Sequence, residues 1–287
     1  MALTTMCLTM LRRTMIHRKS LPQPPRAKQK WEMAKRHPTT ADPNDRMRLN
    51  RFLARAGVAS RRRCDELIAA GSVRVNGKLP SGPGDRVHST QDRVQVDGKT
   101  IHLPTRHEYI LLHKRRDTIV TRHEQRGRST VFEDVPDSRP ATVAVGRLDR
   151  DTTGVLLLTD DGELAYRLTH PKYGVAKRYV AVVEGFPNEG AVIKLARGVE
   201  LEDGPTAPAD IRLLPTQDRR RARIELILHE GRKHQVKRMC LAVGHKVRSL
   251  RRASFASMEV GDLRPGQHRR LRIDEIRRLR RQVGLDK

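Results

Sequence analysis

The sequence is poor in several things, and each shortage narrows what it can do. Aromatic residues make up only 3% of its 287 positions. Rows of stacking rings, the usual platform for single-stranded nucleic acid, are therefore not expected. Cysteine falls to three residues, Cys7, Cys64 and Cys240, far apart and without a CxxC pair. This excludes a disulfide framework and points to a reducing, cytoplasmic setting. There is no HExxH and no Cys/His cluster, so no metal site is expected. Neither GxxxxGK[ST] nor GxGxxG occurs, so a nucleotide cofactor has no support. No apolar run approaches the roughly 18 residues of a membrane helix. Acid is scarce as well: 33 Asp+Glu face 59 Lys+Arg, for a net charge of +26. Such a surplus needs a polyanionic partner, and nucleic acid fits best. Hydrophobic residues, at 37%, still suffice for a core, and the length allows one large domain or two ordinary ones.

The surplus is unevenly spread. Residues 1–46 carry 10 Lys/Arg, 3 Asp/Glu and five prolines, and this composition predicts a disordered basic extension. Met1–Lys19 contains no acid and resembles a transit peptide in composition, although a basic tail of an RNA-binding protein fits it better. Residues 47–104 read as a small module. Leu49, Phe52, Leu53 and Ala56 share a helical stripe stopped by Gly57. Ser60 is placed to cap a second helix with Cys64, Leu67 and Ile68 facing inward, and Gly71 ends it. Val73 and Val75 then alternate into the turn Asn76-Gly77, and Val94 and Val96 into Asp97-Gly98. Arg55, Arg61, Arg62 and Arg63 are expected on one exposed helix edge, suited to phosphate contacts; a solvated charged face is the plainer alternative. Cys64 reads as a buried small hydrophobe.

Residues 105–273 intersperse strands with helices without a regular βαβ period, which suggests a mixed α+β sheet. Tyr109–Leu112, Val155–Leu158, Tyr179–Val183 and Ile224–Leu228 are the expected strands. Helices are expected at 191–196 and 235–242. Asp160-Asp161-Gly162 reads as a turn. Residues 264–287 add a net +6; there Ile273, Ile276, Leu279 and Val283 predict a helix stripe, with 274–287 as a basic C-terminal helix or tail.

Three stretches carry chemistry. In GRLDRDTTGVLLLTDDGELA a single carboxylate, Asp149, stands before a buried strand with arginines and hydroxyls beside it. A turn cap is the ordinary use of such an Asp, but a pocket position would make it reactive. KRYVAVVEG brings Tyr179 into a strand. EGRKHQVKRM sets Gly231 and cations before a helix start, which suits an anion or a catalytic carboxylate.

Together, in this order, these stretches resemble a pseudouridine synthase of the RsuA/RluB branch. RLNRFLARAGVASRRRCDELIAAGSVRVNGK resembles an S4 RNA-binding domain, which precedes the catalytic domain in that branch. ARGVELEDGPTAPADI is closer to the large-subunit RluB type. The resemblance runs from about Arg48 to Arg272. It implies an α+β fold, with an S4 helix–helix–hairpin domain followed by a mixed, largely antiparallel sheet with flanking helices. It also implies isomerisation of one uridine in ribosomal RNA, most plausibly 23S rRNA in a large-subunit precursor or assembly intermediate, without a cofactor. Asp149 is then the essential carboxylate, Lys237 the cation that keeps it ionised, and Tyr179 the ring stacked on the flipped base. Arg147 would contact phosphate or fill the vacated stack. Arg232, His234 and Gln235 would shape the pocket or bind the RNA backbone.

One departure stands out. The branch usually carries Lys-Pro-x-Gly after the first catalytic strand, and here Lys114-Arg115-Arg116-Asp117 stands in its place. This puts the loop geometry in doubt and supports an alternative, a non-catalytic S4-type rRNA-binding assembly factor. A glycosidase is a poor third reading, because a basic surface without sugar-stacking rings has no use there. A monomer is expected, since no sequence feature suggests a symmetric interface.

Overall fold

The computed structural model describes residues 46–122 and 124–286. The expected extension at 1–46 lies outside them but for Arg46, as does Cys7. Within the first module, α1 (Leu49–Arg55) buries Leu49, Phe52 and Leu53, and α2 (Arg61–Ala69) buries Cys64 and Ile68. Ser60 Oγ accepts from the Arg63 N–H and caps α2 as expected. Burial pushes the Cys64 thiol above its usual range, in keeping with a packing role. Three short strands follow: β1 (Val73–Val75), β2 (Val94–Val96) and β3 (Lys99–Ile101), paired antiparallel in that order. Asp97-Gly98 closes a two-residue hairpin between β2 and β3, with φ of 46° and 78°. Asn76-Gly77 takes the same left-handed pair of conformations but closes only one bridge, Val75 to Lys78. The true partner of β1 is β2, because the Asn76 side chain is spent on Asp92 and on the N–H of Arg93.

The larger unit is a nine-stranded mixed sheet. Its main path runs through β4 (Tyr109–Lys114), β5 (Thr152–Thr159), β6 (Lys177–Glu184), β7 (Asp210–Leu214), β8 (Arg221–Leu228), β9 (Val247–Phe255) and β10 (His268–Arg270). In space the order is β7-β8-β6-β9-β5-β4-β10. Every pair along it is antiparallel except β9 with β5. Helices α3 (Gly162–Thr169), α4 (Glu189–Arg197), α5 (Gln235–Ala242) and α6 (Ile273–Gln282) complete it. β5 is buried on both faces: Val155 and Leu157 join one core cluster, Leu156 and Leu158 another. This explains its continuous apolar run. A separate cluster under β6, β8 and α5 includes Ala181, Ile224, Leu226, Met239 and Cys240.

Two expectations need correction. Asp160-Asp161 is no simple surface turn. Asp161 caps α3 and also accepts from the Tyr109 hydroxyl and Arg280, while Asp160 accepts from the Glu108 N–H and Arg139 and pairs with His107. The C-terminal stripe is also shifted. Ile273 is 68% exposed, whereas Leu279 and Val283 pack into the same core as β5. Glu275 takes the inward place instead, held by both guanidinium nitrogens of Arg269 at 2.7 Å, which brings its carboxyl down to about 2. The helix is thereby built into the larger unit.

The parallel contact of β5 with β9 brings two backbones close together. Gly154 stands opposite Arg252 with φ 111°, and a Cβ there would lie 2.1 Å from the Arg252 carbonyl oxygen. No backbone shift short of breaking the pairing relieves such a clash. We expect Gly154→Ala to destabilise the fold by about 2–4 kcal/mol, measured by denaturant unfolding, whereas Gly82→Ala, where a Cβ meets nothing within 4 Å, stays close to wild type.

Candidate active site

The site forms where the loop ahead of β5 meets the start of α5. Leu148 is buried and anchors the loop, leaving the neighbouring Asp149 side chain 30% exposed. Lys237 Nζ stands 3.2 Å from one Asp149 oxygen, and His234 Nε2 stands 3.4 Å from the other. Lys237 sits on the first turn of α5, and His234 precedes that helix in a left-handed conformation, φ 54°. The expected Asp149–Lys237 pair is therefore present, but the lysine is shared. Asp151 Oδ1 lies only 2.5 Å from the same ammonium. Burial alone would raise the Asp151 carboxyl; the bond and charge of Lys237 outweigh it and hold it below the usual range.

Asp149, Arg147, Thr152, Tyr179, His234 and Gln235 line one pocket, with Leu228, Val236 and Leu250 as its apolar wall. Its empty space, including the open mouth, is about 400 Å³. Tyr179 enters from β6, on the face that α5 covers. Thus Asp149 and Tyr179, which lie far apart in sequence, line one cavity, and Lys237 joins them through its contact with Asp149.

Arg232 and Gln235 are held by neighbours in the chain. The Arg232 guanidinium donates to the carbonyls of Gly204 and Pro205 and pairs with Glu230. Gln235 accepts from the Arg232 N–H and donates to Glu230. Both shape the pocket wall and are committed within the chain. Arg147 is exposed, and it also borders a second, far larger cleft between the first module and the sheet. Arg46, Arg48, Arg51, Arg55, Arg61 and Arg86 line that cleft. The expected arginine edge is thus divided. Arg55 and Arg61 face the cleft, with Arg55 reaching His107 at 3.3 Å. Arg62 and Arg63 are not among its lining residues, and Arg63 pairs with Glu66.

Sequence reasoning missed Lys114. It is fully buried at the end of β4, and its ammonium donates to the carbonyls of Arg115, Arg150 and Thr152 at 3.0, 3.2 and 2.9 Å. Two of those carbonyls bracket Asp151, so Lys114 fixes the loop that carries both carboxylates. Burial pushes this ammonium down to about 8, against the pull of Asp151, Asp117, Asp149 and Asp134. The signal was a lysine closing an apolar strand. Asp117 occupies the place of the absent glycine and adopts the left-handed conformation itself, φ 62°. Aspartate tolerates this region better than most residues. Its N–H donates to the Arg150 carbonyl at 2.8 Å, and its carboxylate pairs with Arg150. The loop thus keeps its turn without proline or glycine.

Comparison with known proteins decides the family. Residues 108–242 match the model of RNA pseudouridylate synthase, and residues 47–94 match that of the S4 domain. A protein of Aquifex aeolicus named as an uncharacterized RNA pseudouridine synthase is 41% identical over 240 residues, 83% of this chain and 96% of its own. The chain belongs to the RNA pseudouridylate synthase family. The ribosomal large subunit pseudouridine synthase B of Bacillus subtilis is 42% identical, over 81% of this chain and 95% of its own. A crystal structure of a pseudouridylate synthase superposes with a TM-score of 0.58 at 29% identity, covering 81% of this chain and 99% of that one. The synthase fold and the S4 domain ahead of it are as the sequence motifs led us to expect. Among the described residues of this synthase, no cluster of three His, Cys, Asp or Glu side chains is placed to hold a metal, and no helix is long and apolar enough to cross a membrane.

Lys114 and Asp117 give contrasting expectations. Lys114→Met strips three carbonyls of their shared donor and should cost about 2–4 kcal/mol, with a parallel loss of activity. Asp117→Gly keeps the left-handed turn and should leave both within experimental error of wild type. Chemical denaturation together with an assay of pseudouridine formation checks the pair.

Proposed function

We propose that this synthase converts one uridine of ribosomal RNA, in the 23S rRNA of the large subunit, to pseudouridine, with Asp149 as the catalytic carboxylate. The observation that carries the reading is the Asp149 carboxylate at a pocket mouth, held by Lys237 and His234 and faced by Tyr179. The large-subunit assignment rests on the relative from B. subtilis.

The reaction needs no external reagent. The C1′–N1 bond breaks, the uracil turns, C5 bonds to C1′, C5 loses its proton and N1 gains one. Asp149 starts the cleavage, either by attack on C1′ or by taking the C2′ proton. The Lys237 ammonium stands 3.2 Å from it, a cation beside the reacting carboxylate in either role. The uridine must leave its stack to reach it, and Arg147, at the junction of pocket and cleft, is placed to fill the gap or hold the adjoining phosphate. Tyr179 stacks on the turned base. The arginine-lined cleft takes the flanking RNA by its phosphates, which positions without reading sequence. A cytoplasmic setting and a monomeric enzyme belong to the same reading. The alternative of a non-catalytic assembly factor leaned on the altered Lys114–Asp117 loop, and the turn kept by Asp117 removes that support.

The test is to incubate the purified chain with large- and small-subunit rRNA transcripts and map pseudouridine by carbodiimide modification and primer extension. We expect one new stop on large-subunit RNA and none on small-subunit RNA. Binding of both RNAs without any pseudouridine would contradict the enzymatic reading, and a stop on small-subunit RNA alone would contradict the choice of subunit.

A further inference from the structure

A second cation lies beneath the pocket, with no role in the chemistry so far. Arg252 on β9 is 2% exposed. Its Nε donates to the Val155 carbonyl at 2.8 Å, and its guanidinium carbon stands 4.7 Å from the centre of the Phe255 ring. Nη2 is buried without a hydrogen-bond partner. Among the described residues no carboxylate forms an ion pair with it. Burying a guanidinium without a counter-ion is expensive, and the neighbourhood increases the cost. Lys177 is also buried there, its ammonium pushed down to about 8 by burial and then by the charge of Arg252. A hydrophobic residue of similar size would fill the same space at lower cost. The expense therefore calls for a functional reason.

The neighbour of Arg252 across the sheet supplies one. Arg252 and Tyr179 are register partners on β9 and β6, so their side chains leave the same face side by side. The guanidinium charge bears on the Tyr179 side chain beside it, and the tyrosine lines the Asp149 pocket. Gly154 holds the Arg252 backbone in place by the close approach of β5.

We infer that Arg252 is a positioning residue that stabilises negative charge on the Tyr179 oxygen while that oxygen shuttles a proton. The inference rests on the proposed isomerisation. When the C1′–N1 bond breaks, the bonding pair leaves with N1, and the Tyr179 hydroxyl gives N1 its proton. The phenolate that remains sits against the Arg252 cation, in a dry site where such a contact is strong. After the base turns and C5 bonds to C1′, the phenolate takes the C5 proton. The uracil has then exchanged a C5–H for an N1–H, and the tyrosine is as it began. No external acid or base enters. A buried cation with no carboxylate partner suits this task, because a fixed counter-ion would cancel the field at the phenol.

The experiment compares Arg252→Gln with Arg252→Lys, both of which keep a donor for the Val155 carbonyl. Each variant is assayed on wild-type substrate RNA and on RNA whose target uridine carries deuterium at C5, with thermal melts as the folding control. We expect Arg252→Gln to lose about 10- to 100-fold in kcat with little change in KM. Loss of the C5 proton becomes slow enough to show an isotope effect on kcat. Arg252→Lys, which keeps the charge, recovers much of the rate and shows a smaller isotope effect. If Arg252→Gln melts out, Arg252→Lys carries the test through its near-normal kcat. The inference is overturned if Arg252→Gln keeps wild-type kcat, if its loss comes without an isotope effect, or if Arg252→Lys is as slow as Arg252→Gln. Wild-type protein that forms no pseudouridine would overturn the underlying reading instead, so the two failures are told apart.

Discussion

The site depends on one close approach between backbones. Gly154, lacking a Cβ, lets β5 run parallel to β9 with the Arg252 carbonyl where a side chain would otherwise stand. That pairing fixes where β5 begins, and Asp149 lies only a few residues upstream. It also fixes β9, which follows α5 after the turn at Gly244. The helix bearing Lys237 and the loop bearing Asp149 are thereby brought together from opposite ends of the domain sequence. Lys114 completes the arrangement from β4 by holding three carbonyls around the same loop. A parallel pair inside an otherwise antiparallel sheet is thus the framework on which the pocket is built.

Charge is handled differently at each depth of the molecule. On the surface and rim, arginines are matched by carboxylates, as in Arg63 with Glu66, Arg238 with Asp203 and Arg178 with Glu225. In the cleft beside the S4 domain, Arg46, Arg48, Arg51, Arg61 and Arg86 line an open space that suits a phosphate backbone. At the pocket one ammonium serves two carboxylates, Asp149 and Asp151. Beneath it, Lys114, Lys177 and Arg252 are buried and lean on carbonyl oxygens. The net charge of +26 is therefore several populations of cations. A share of +7 belongs to residues 1–46 and +6 to residues 264–287, leaving +13 for the rest.

Much of this was legible in the residues. The S4 helices, the Ser60 cap and the Asp97-Gly98 hairpin are local features, and local chemistry foretold them. The contact of Lys237 with Asp149 and the shared pocket of Asp149 and Tyr179 join segments that only family resemblance had linked. What escaped was set by tertiary contact. Asp160 and Asp161 have the composition of a turn, yet His107, Arg139 and Arg280 turn them into a buried junction. The Asn76-Gly77 turn has hairpin chemistry, but its strand pairs with Val94–Val96 instead. Arg232 sits in a basic stretch that suggested pocket or RNA contacts, and the loop at 203–205 holds its guanidinium. Periodicity placed Ile273 inward, and a buried Glu275–Arg269 pair took that place. The roles of Lys114 and Asp151 depend on distances that no sequence pattern specifies.

Asp149 and its pairing with Lys237 are the central claim, and one measurement reaches them directly. Asp149→Asn keeps the size and hydrogen-bonding shape of the side chain but removes its charge. Binding of substrate RNA and formation of pseudouridine are measured on the same preparation. RNA affinity should stay close to wild type, with no pseudouridine at the target uridine. Pseudouridine at the wild-type rate in that variant would contradict the claim.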